Sequence, residues 1–458
     1  MVETSKKQDM GSGSVPKLML GLAIPAVVAQ LINMLYNIVD RIYIGHIPDA
    51  GASALTGVGL FLPILMMINA FAMLAGSGGA PRAAIAMGKN DREGAQKILG
   101  NCFTVLLFFA VLLTAGFYAF APQLLRLFGA SDVTLPYALS YARIYILGTI
   151  FVMIVMGMNP FITTQGFAKY SMATTVVGAV CNIVLDPILI FVLGMGVQGA
   201  AVATVISQAV SAVWVIVFLR GTKTLLRLRL EHMKIIPQVM MPCLALGVST
   251  FVMLSTESIL NISFNSSLSR YGGDLAVGAM TIISSCNQLV TLPLQGICQG
   301  GQPIMSFNFG AGKKERVKQA FRCQFIACTA YAGGMWLLLM VFPHVFTGIF
   351  SSDASLAEYT VWAMRIYMAG IFSSGVQIAC QQTFMALGQA KISLLMACLR
   401  KLVLLIPLIF LLPHIFSNPV FGVFVAEPVS DILAASVTAS MLFMRLNRIL
   451  EKGAAAKV

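Results

Sequence analysis

The run FTVLLFFAVLLTAGFYA, residues 103–119, passes through seventeen positions without a charge. A helical membrane crossing needs about 20 apolar residues. A transmembrane strand instead alternates polar and apolar over about ten, and this run does not alternate. It is the middle of a membrane helix, and the rest of the chain has the same texture. Of 458 residues, 58% are apolar and 10% charged, where soluble domains carry about 25% charged residues. That composition excludes a compact soluble domain, a disordered chain and a nucleic-acid-binding protein, although the formal net charge is +13.

Apolar runs between polar or Gly/Pro punctuation predict an all-α integral membrane protein with twelve transmembrane helices. The expected spans are 17–45, 53–81, 93–119, 136–163, 168–192, 197–219, 241–267, 275–305, 316–341, 357–386, 392–413 and 420–446. They leave a tail at 1–16, an N-terminal six-helix lobe at 17–219, a basic linker at 220–240, a C-terminal six-helix lobe at 241–446 and a tail at 447–458. Lys and Arg in short loops set orientation. Twenty-five of them, including Lys6, Lys7, Lys89, Arg92, Arg229, Lys313, Arg400, Lys401 and Lys457, fall on one expected side; Arg41, Arg126, Arg143, Arg270 and Arg365 fall toward the other. Both termini are therefore expected in the cytoplasm, and the +13 is topogenic.

The chain repeats itself at an offset of 222 residues. Gly78, Gly79 and Pro81 return as Gly300, Gly301 and Pro303; Arg143-Ile144-Tyr145 returns as Arg365-Ile366-Tyr367; Gly148 returns as Gly370; and Gly166 and Lys169 return as Gly388 and Lys391. Each half holds six crossings, so both insert in the same orientation. Parallel repeats of this kind build transporters with a site between two lobes that alternate access.

Five of the seventeen acids fall inside predicted helices: Asp40, Asp186, Glu257, Glu427 and Asp431. A carboxylate at a helix centre costs about 2.5–3.5 kcal/mol to insert, and such residues mark ion or substrate paths. Each has polar company at helical spacing. Gln30, Asn33, Asn37 and Asp40 share a face, as do Asn182 with Asp186, and Glu257 with Asn261 and Asn265. Further stripes are Gln288, Gln295, Gln299 and Gln302, then Gln377 with Gln381, and Glu427 with Asp431. Such stripes face either a wet cavity or each other as interhelical bonds worth about 0.6 kcal/mol each. Pro25, inside the first helix, removes a backbone bond and serves as a static kink or a hinge.

Other classes lack their signatures. The nine cysteines form no CxxC pair, so neither a disulfide framework nor a zinc site is indicated. The four histidines, His46, His232, His344 and His414, sit at loops or helix ends without an HExxH motif, and Gly76-Ser77-Gly78-Gly79 is not a nucleophile elbow. No enzyme activity and no cofactor are expected. The 27 methionines are lipid-facing filler or a soft, adaptable surface. A major-facilitator loop would read GxxxDRxG, and Gly88-Lys89-Asn90-Asp91-Arg92 places Asp one residue early.

The segment Ile24-Pro25 with Leu35-Tyr36-Asn37-Ile38-Val39-Asp40-Arg41 resembles the first helix of multidrug and toxic compound extrusion (MATE) transporters. Cys181-Asn182-Ile183-Val184-Leu185-Asp186-Pro187 resembles their fifth, Gly199-Ala200-Ala201-Val202-Ala203-Thr204 the start of their sixth, and the paired Gly-Gly-x-Pro segments complete the likeness. The resemblance covers essentially the whole chain and is nearest the bacterial multidrug branch. It implies antiport of organic cations and amphipathic drugs against H⁺ or Na⁺. It also implies a cation-coupling site of Asp40, Asn182, Asp186, Thr204 and Tyr141, with Na⁺ held at Asp40, Asn182 and Asp186. A second family site uses a helix 7 Glu, matched by Glu257, and a helix 10 Asp, where this chain offers only Gln377 and Gln381; Glu427 and Asp431 are candidates to replace that charge. Asn261 and Gln288 join these five as expected substrate contacts. The expected partners are small organic cations or amphipathic drugs and membrane lipid, with no nucleic acid, for a monomer in the plasma membrane. A lipid or polysaccharide precursor flippase of the same superfamily is the alternative. The expected predominance of acids over bases inside the membrane favours cationic cargo over that alternative.

Overall fold

A computed structural model of the chain describes residues 9–48, 51–350 and 354–455. Lys6, Lys7 and Lys457 lie outside the described residues. The helices in order are α1 Val15–Gly45, α2 Gly51–Gly88, α3 Arg92–Leu127, α4 Leu135–Leu147, α5 Thr149–Thr164, α6 Ala168–Pro187 and α7 Val197–Arg220. There follow α8 Pro237–Gly310, α9 Lys314–Val341, α10 Pro343–Phe350, α11 Ala354–Tyr367, α12 Ile371–Ala386, α13 Ala390–Cys398, α14 Ile406–Leu411 and α15 Pro419–Ala455. No strand occurs among the described residues.

Among the described residues, nine helical stretches, counting Ala168–Val192 and Ala390–His414 each as one, are long and apolar enough to cross a membrane, and the pair α4–α5, bent by 56°, makes a tenth. The 74 residues of α8 take in both the seventh and the eighth expected crossings, interrupted at Gly273, whose φ of 63° is in the left-handed region. α11 and α12 cover the tenth expected crossing, with a 3₁₀ turn at Met368–Gly370 between them. The architecture is thus consistent with twelve crossings. The breaks obey the repeat, since α4 gives way to α5 at Gly148 and α11 reaches α12 through Gly370, 222 residues later.

The chain forms two compact units, and their boundaries fall inside helices. One holds Val28–Leu254; the other holds Met10–Val27 with Ser255–Val458. The boundaries therefore differ from the lobes drawn at 17–219 and 241–446. The first halves of α1 and α8, which start 222 residues apart, are exchanged between units. Glycines seat them. A Cβ on Gly78 of α2 would strike the Cys243 carbonyl and Gly247 in the first half of α8, while a Cβ on Gly300 would strike the backbone of Ala23 in the first half of α1. Only hydrogen in place of a side chain permits that approach. Buried Pro25 sits two residues before the boundary in α1 and withholds an N–H from the helix ladder.

The segments leading into α1 and α8 are tied down alike. Asn308 Nδ2 donates to the Met10 carbonyl at 2.8 Å, and Arg316 donates to the carbonyls of Ser12 at 2.9 Å and Gly13 at 2.8 Å. In the other unit, Asn101 Nδ2 donates to the His232 carbonyl at 3.2 Å and its Oδ1 accepts from Ile236 N at 2.6 Å; Thr104 donates to Met233 O at 2.7 Å. Met10 and His232 are also 222 apart. Gln165 Oε1 holds the linker further, accepting from Thr224 Oγ1 at 2.7 Å and from the amides of Leu225 and Leu226 at 2.8 Å each.

Candidate ion and substrate sites

In the first unit, α6 presents Asn182 and Asp186 one turn apart on a buried face, 1% and 0% exposed. Asn182 Nδ2 donates to Asp186 Oδ1 at 3.2 Å and to Thr204 Oγ1 of α7 at 3.4 Å, while Thr204 itself donates to Ala200 O at 2.9 Å. The second half of α1 brings the Asp40 carboxyl up against that of Asp186. Directly after Asp186-Pro187 the helix widens into a π turn at Ile188–Val192. Pro187 cannot donate into the ladder, and single π turns of this kind gather at functional sites.

Three oxygens of this cluster are buried without a hydrogen-bond partner among the described residues: Asp40 Oδ1, Asp186 Oδ2 and Asn182 Oδ1. Buried polar atoms left unpaired are costly, and these three belong to one cluster of side chains. Carboxylate, amide and hydroxyl oxygens suit a hard cation. The surrounding wall is aromatic. The Tyr141 hydroxyl faces Thr204; Tyr141 and Tyr145 stack at 5.8 Å and both meet the edge of Phe61, at 5.6 and 5.1 Å. Tyr36, one turn before Asp40, lies in the field of both carboxyls.

The second unit carries a different cluster. Between α13 and α14 the chain forms a π-helical stretch, Leu399–Leu405, and its widened turn sends two consecutive bases to different acids. Arg400 turns to α15, with Nε 2.8 Å and Nη2 2.7 Å from Asp431 Oδ1, and Nη2 3.5 Å from Glu427 Oε1. Lys401 turns to α8 and pairs with Glu257. Ser430 Oγ braces the turn by donating to the Arg400 carbonyl at 2.9 Å. The Lys401 side chain is 5% exposed and that of Glu257 46%. Tyr367 of α11 lies in the field of all three acids.

This corrects two expectations. Arg400 and Lys401 do not belong in the count of topogenic bases: inside the apolar helical stretch Ala390–His414 they pair with acids, which leaves an expected split of 23 against five. Consequently the acids of the C-terminal half do not stand without bases; three carboxylates face two cations. Gln377 and Gln381 are both buried on α12, where Gln377 Nε2 donates to Gln381 Oε1 at 2.9 Å while Gln377 Oε1 has no hydrogen-bond partner among the described residues. Asn261 and Gln288 are exposed on α8, outside the ionic cluster. Asp40, Asn182, Asp186, Thr204 and Tyr141 are brought together as expected. Sequence reasoning placed none of Tyr36, Arg400 and Lys401 in a site. The two bases were visible as the sole charges well inside the expected span 392–413.

The structure thus defines a multi-pass helical membrane protein of two repeated units with buried ionisable clusters. The chain belongs to the MatE family, whose model matches residues 25–188 and 249–411. It is 24% identical over 430 residues to the multidrug export protein MepA of Staphylococcus haemolyticus, covering 93% of this chain and 94% of that one. To MepA of Staphylococcus aureus strain N315 it is 23% identical, covering 94% of each. A solved outward-facing multidrug resistance MATE transporter of the MOP superfamily superposes with a TM-score of 0.90 at 23% identity, over 98% of this chain and 100% of that one. A MOP superfamily transporter from Pyrococcus furiosus, described as having a binding pocket of reverse polarity, gives 0.90 at 24% identity over 98% and 99%.

Proposed function

We propose that the chain is a secondary active efflux transporter that exports organic cations and amphipathic drugs in exchange for H⁺ or Na⁺ by alternating access. Family membership and full-length similarity to multidrug export proteins support the efflux reading. The observation that carries the exchange reading is one cluster with three unpartnered buried oxygens, from Asp40, Asn182 and Asp186. In this reading Asp40 and Asp186 bind the coupling ion, Asn182 and Thr204 orient Asp186, and Tyr141 closes the wall. Two facing carboxylates resist joint ionisation, so the same place holds a proton or a Na⁺ ion. Glu257, the half-exposed acid of the second cluster, receives the positive group of the cargo. The protein acts as a monomer in the plasma membrane with both termini in the cytoplasm.

A precursor flippase is favoured by one observation, the bases Arg400 and Lys401 inside the membrane, but both are engaged by acids and offer an anionic headgroup no unpaired charge. The deciding experiment is reconstitution in liposomes with Na⁺ and pH gradients imposed separately while a fluorescent organic cation is followed. Movement driven by one gradient supports the reading. No movement under either, across a broad panel of cations, removes it.

A further inference from the structure

The second cluster holds five charges that do not cancel. Glu257, Glu427 and Asp431 supply three negative groups, and Arg400 and Lys401 two positive ones. The surplus has an address. Arg400 is committed to Asp431 by two short contacts and reaches only Glu427 Oε1, at 3.5 Å. Glu427 Oε2 is buried and has no hydrogen-bond partner among the described residues, and the Glu427 side chain is only 10% exposed. The carboxylate open to an arriving cation is a different one, Glu257. It is already held by Lys401, whose ammonium also lies in the field of Glu427.

We propose that Lys401 is a relay: when the positive group of a cargo takes Glu257, the Lys401 side chain transfers from Glu257 to the unpartnered oxygen of Glu427. This rests on the reading of Glu257 as the acid that receives cargo. The move leaves no buried ammonium uncompensated, satisfies the orphan oxygen and brings the six charges to neutrality. A lysine suits the task because its flexible stem carries a compact charge with three rotatable donors. The device also sets specificity. A monocation needs Glu427 as the receiver of Lys401. A zwitterion brings a carboxylate that can itself take Lys401 as its ammonium takes Glu257, and so does not need Glu427. Glu427 is therefore a positioning residue that acts on cargo without touching it.

The test uses one fluorophore in two charge forms, a rhodamine ethyl ester (monocation) and the same rhodamine as free acid (zwitterion). Binding is measured on the purified full-length protein by fluorescence anisotropy. Glu427→Gln is expected to weaken the ester by about tenfold or more while the free acid stays within about twofold. In the Lys401→Met background, where nothing is displaced from Glu257, adding Glu427→Gln should change ester binding by less than about twofold. Lys401→Arg retains a movable charge, so adding Glu427→Gln there should again weaken the ester selectively; this arm decides the matter if Lys401→Met does not fold. Loss of both dyes alike in Glu427→Gln, an unchanged ester, or an equal loss in the Lys401→Met background would overturn the relay alone. A wild-type protein that binds neither dye would remove the cargo role of Glu257, and the relay with it.

Discussion

Replacing Arg400 with Met should unfold the second unit before it affects anything else. The Arg400 side chain is 17% exposed, those of its partners Glu427 and Asp431 are 10% and 7% exposed, and the contacts are 2.7–3.5 Å. Methionine fills similar space, so the lesion is electrostatic: two carboxylates one turn apart on α15 lose the base that faces both. Removing one partner from a buried ion pair costs about 3–5 kcal/mol, because the remaining charge stays buried without compensation. For a unit of this size each kcal/mol lowers the melting midpoint by about 2–4 °C, so Arg400→Met should melt roughly 6–20 °C below wild type. The assay is thermal unfolding of detergent-solubilised protein followed by intrinsic tryptophan fluorescence. The reasoning also requires rescue: in the triple variant Arg400→Met, Glu427→Gln, Asp431→Asn, most of the loss should return. A fall of under 2 °C in Arg400→Met, or a triple variant no more stable than the single one, would refute it.

Three further outcomes follow from the packing. Gly247→Val should abolish accumulation of folded protein, since a Cβ there strikes the Leu74 carbonyl of α2 and two helix backbones must part; immunoblotting of membranes against Gly116→Val, where a Cβ meets nothing within 4 Å, checks it. Gln165→Leu should destabilise the first unit, because each donor left buried without its acceptor costs about 1–3 kcal/mol and Gln165 Oε1 accepts three bonds; a melting midpoint within 1 °C of wild type would contradict it. Asn182→Ala should slow transport by more than its loss of stability explains, as it removes the bond to Asp186 and the link to Thr204 while leaving Asp186 in place; initial efflux rates at equal amounts of folded protein, set beside melting curves, separate the two.

The repeat made much of this molecule legible before any coordinates. The 222-residue offset pairs Gly78 with Gly300 and Gly148 with Gly370, although the expected spans 136–163 and 357–386 run unbroken through the latter two, where the structure breaks the helix. Spacing alone put Asn182 and Asp186 on one face of a helix. Two features were hidden for physical reasons. The exchange of the first halves of α1 and α8 leaves no trace in hydropathy, because a helix packed on either unit buries the same kind of residue; only the partner glycines register it. Arg400 and Lys401 fall inside the expected span 392–413 yet count among the topogenic bases, because a count of bases weighs charge without asking what faces it. Their compensation comes from Glu257, Glu427 and Asp431, far away in sequence, and the π turn that aims the two bases apart has no compositional signature.

The most direct test of the coupling site is efflux from proteoliposomes, with the driving ion gradient imposed, for wild type, Asp40→Asn and Asp186→Asn at equal reconstituted amounts. Each substitution keeps the shape of its side chain and removes one of the two charges that define the site; losing such a contact typically costs about 2–5 kcal/mol, at least about a 25-fold loss of ion affinity. Gradient-driven efflux should fall to the protein-free background in both variants while both remain monodisperse in detergent. Wild-type rates in both would contradict the assignment of Asp40 and Asp186 as the residues that exchange the coupling ion for cargo.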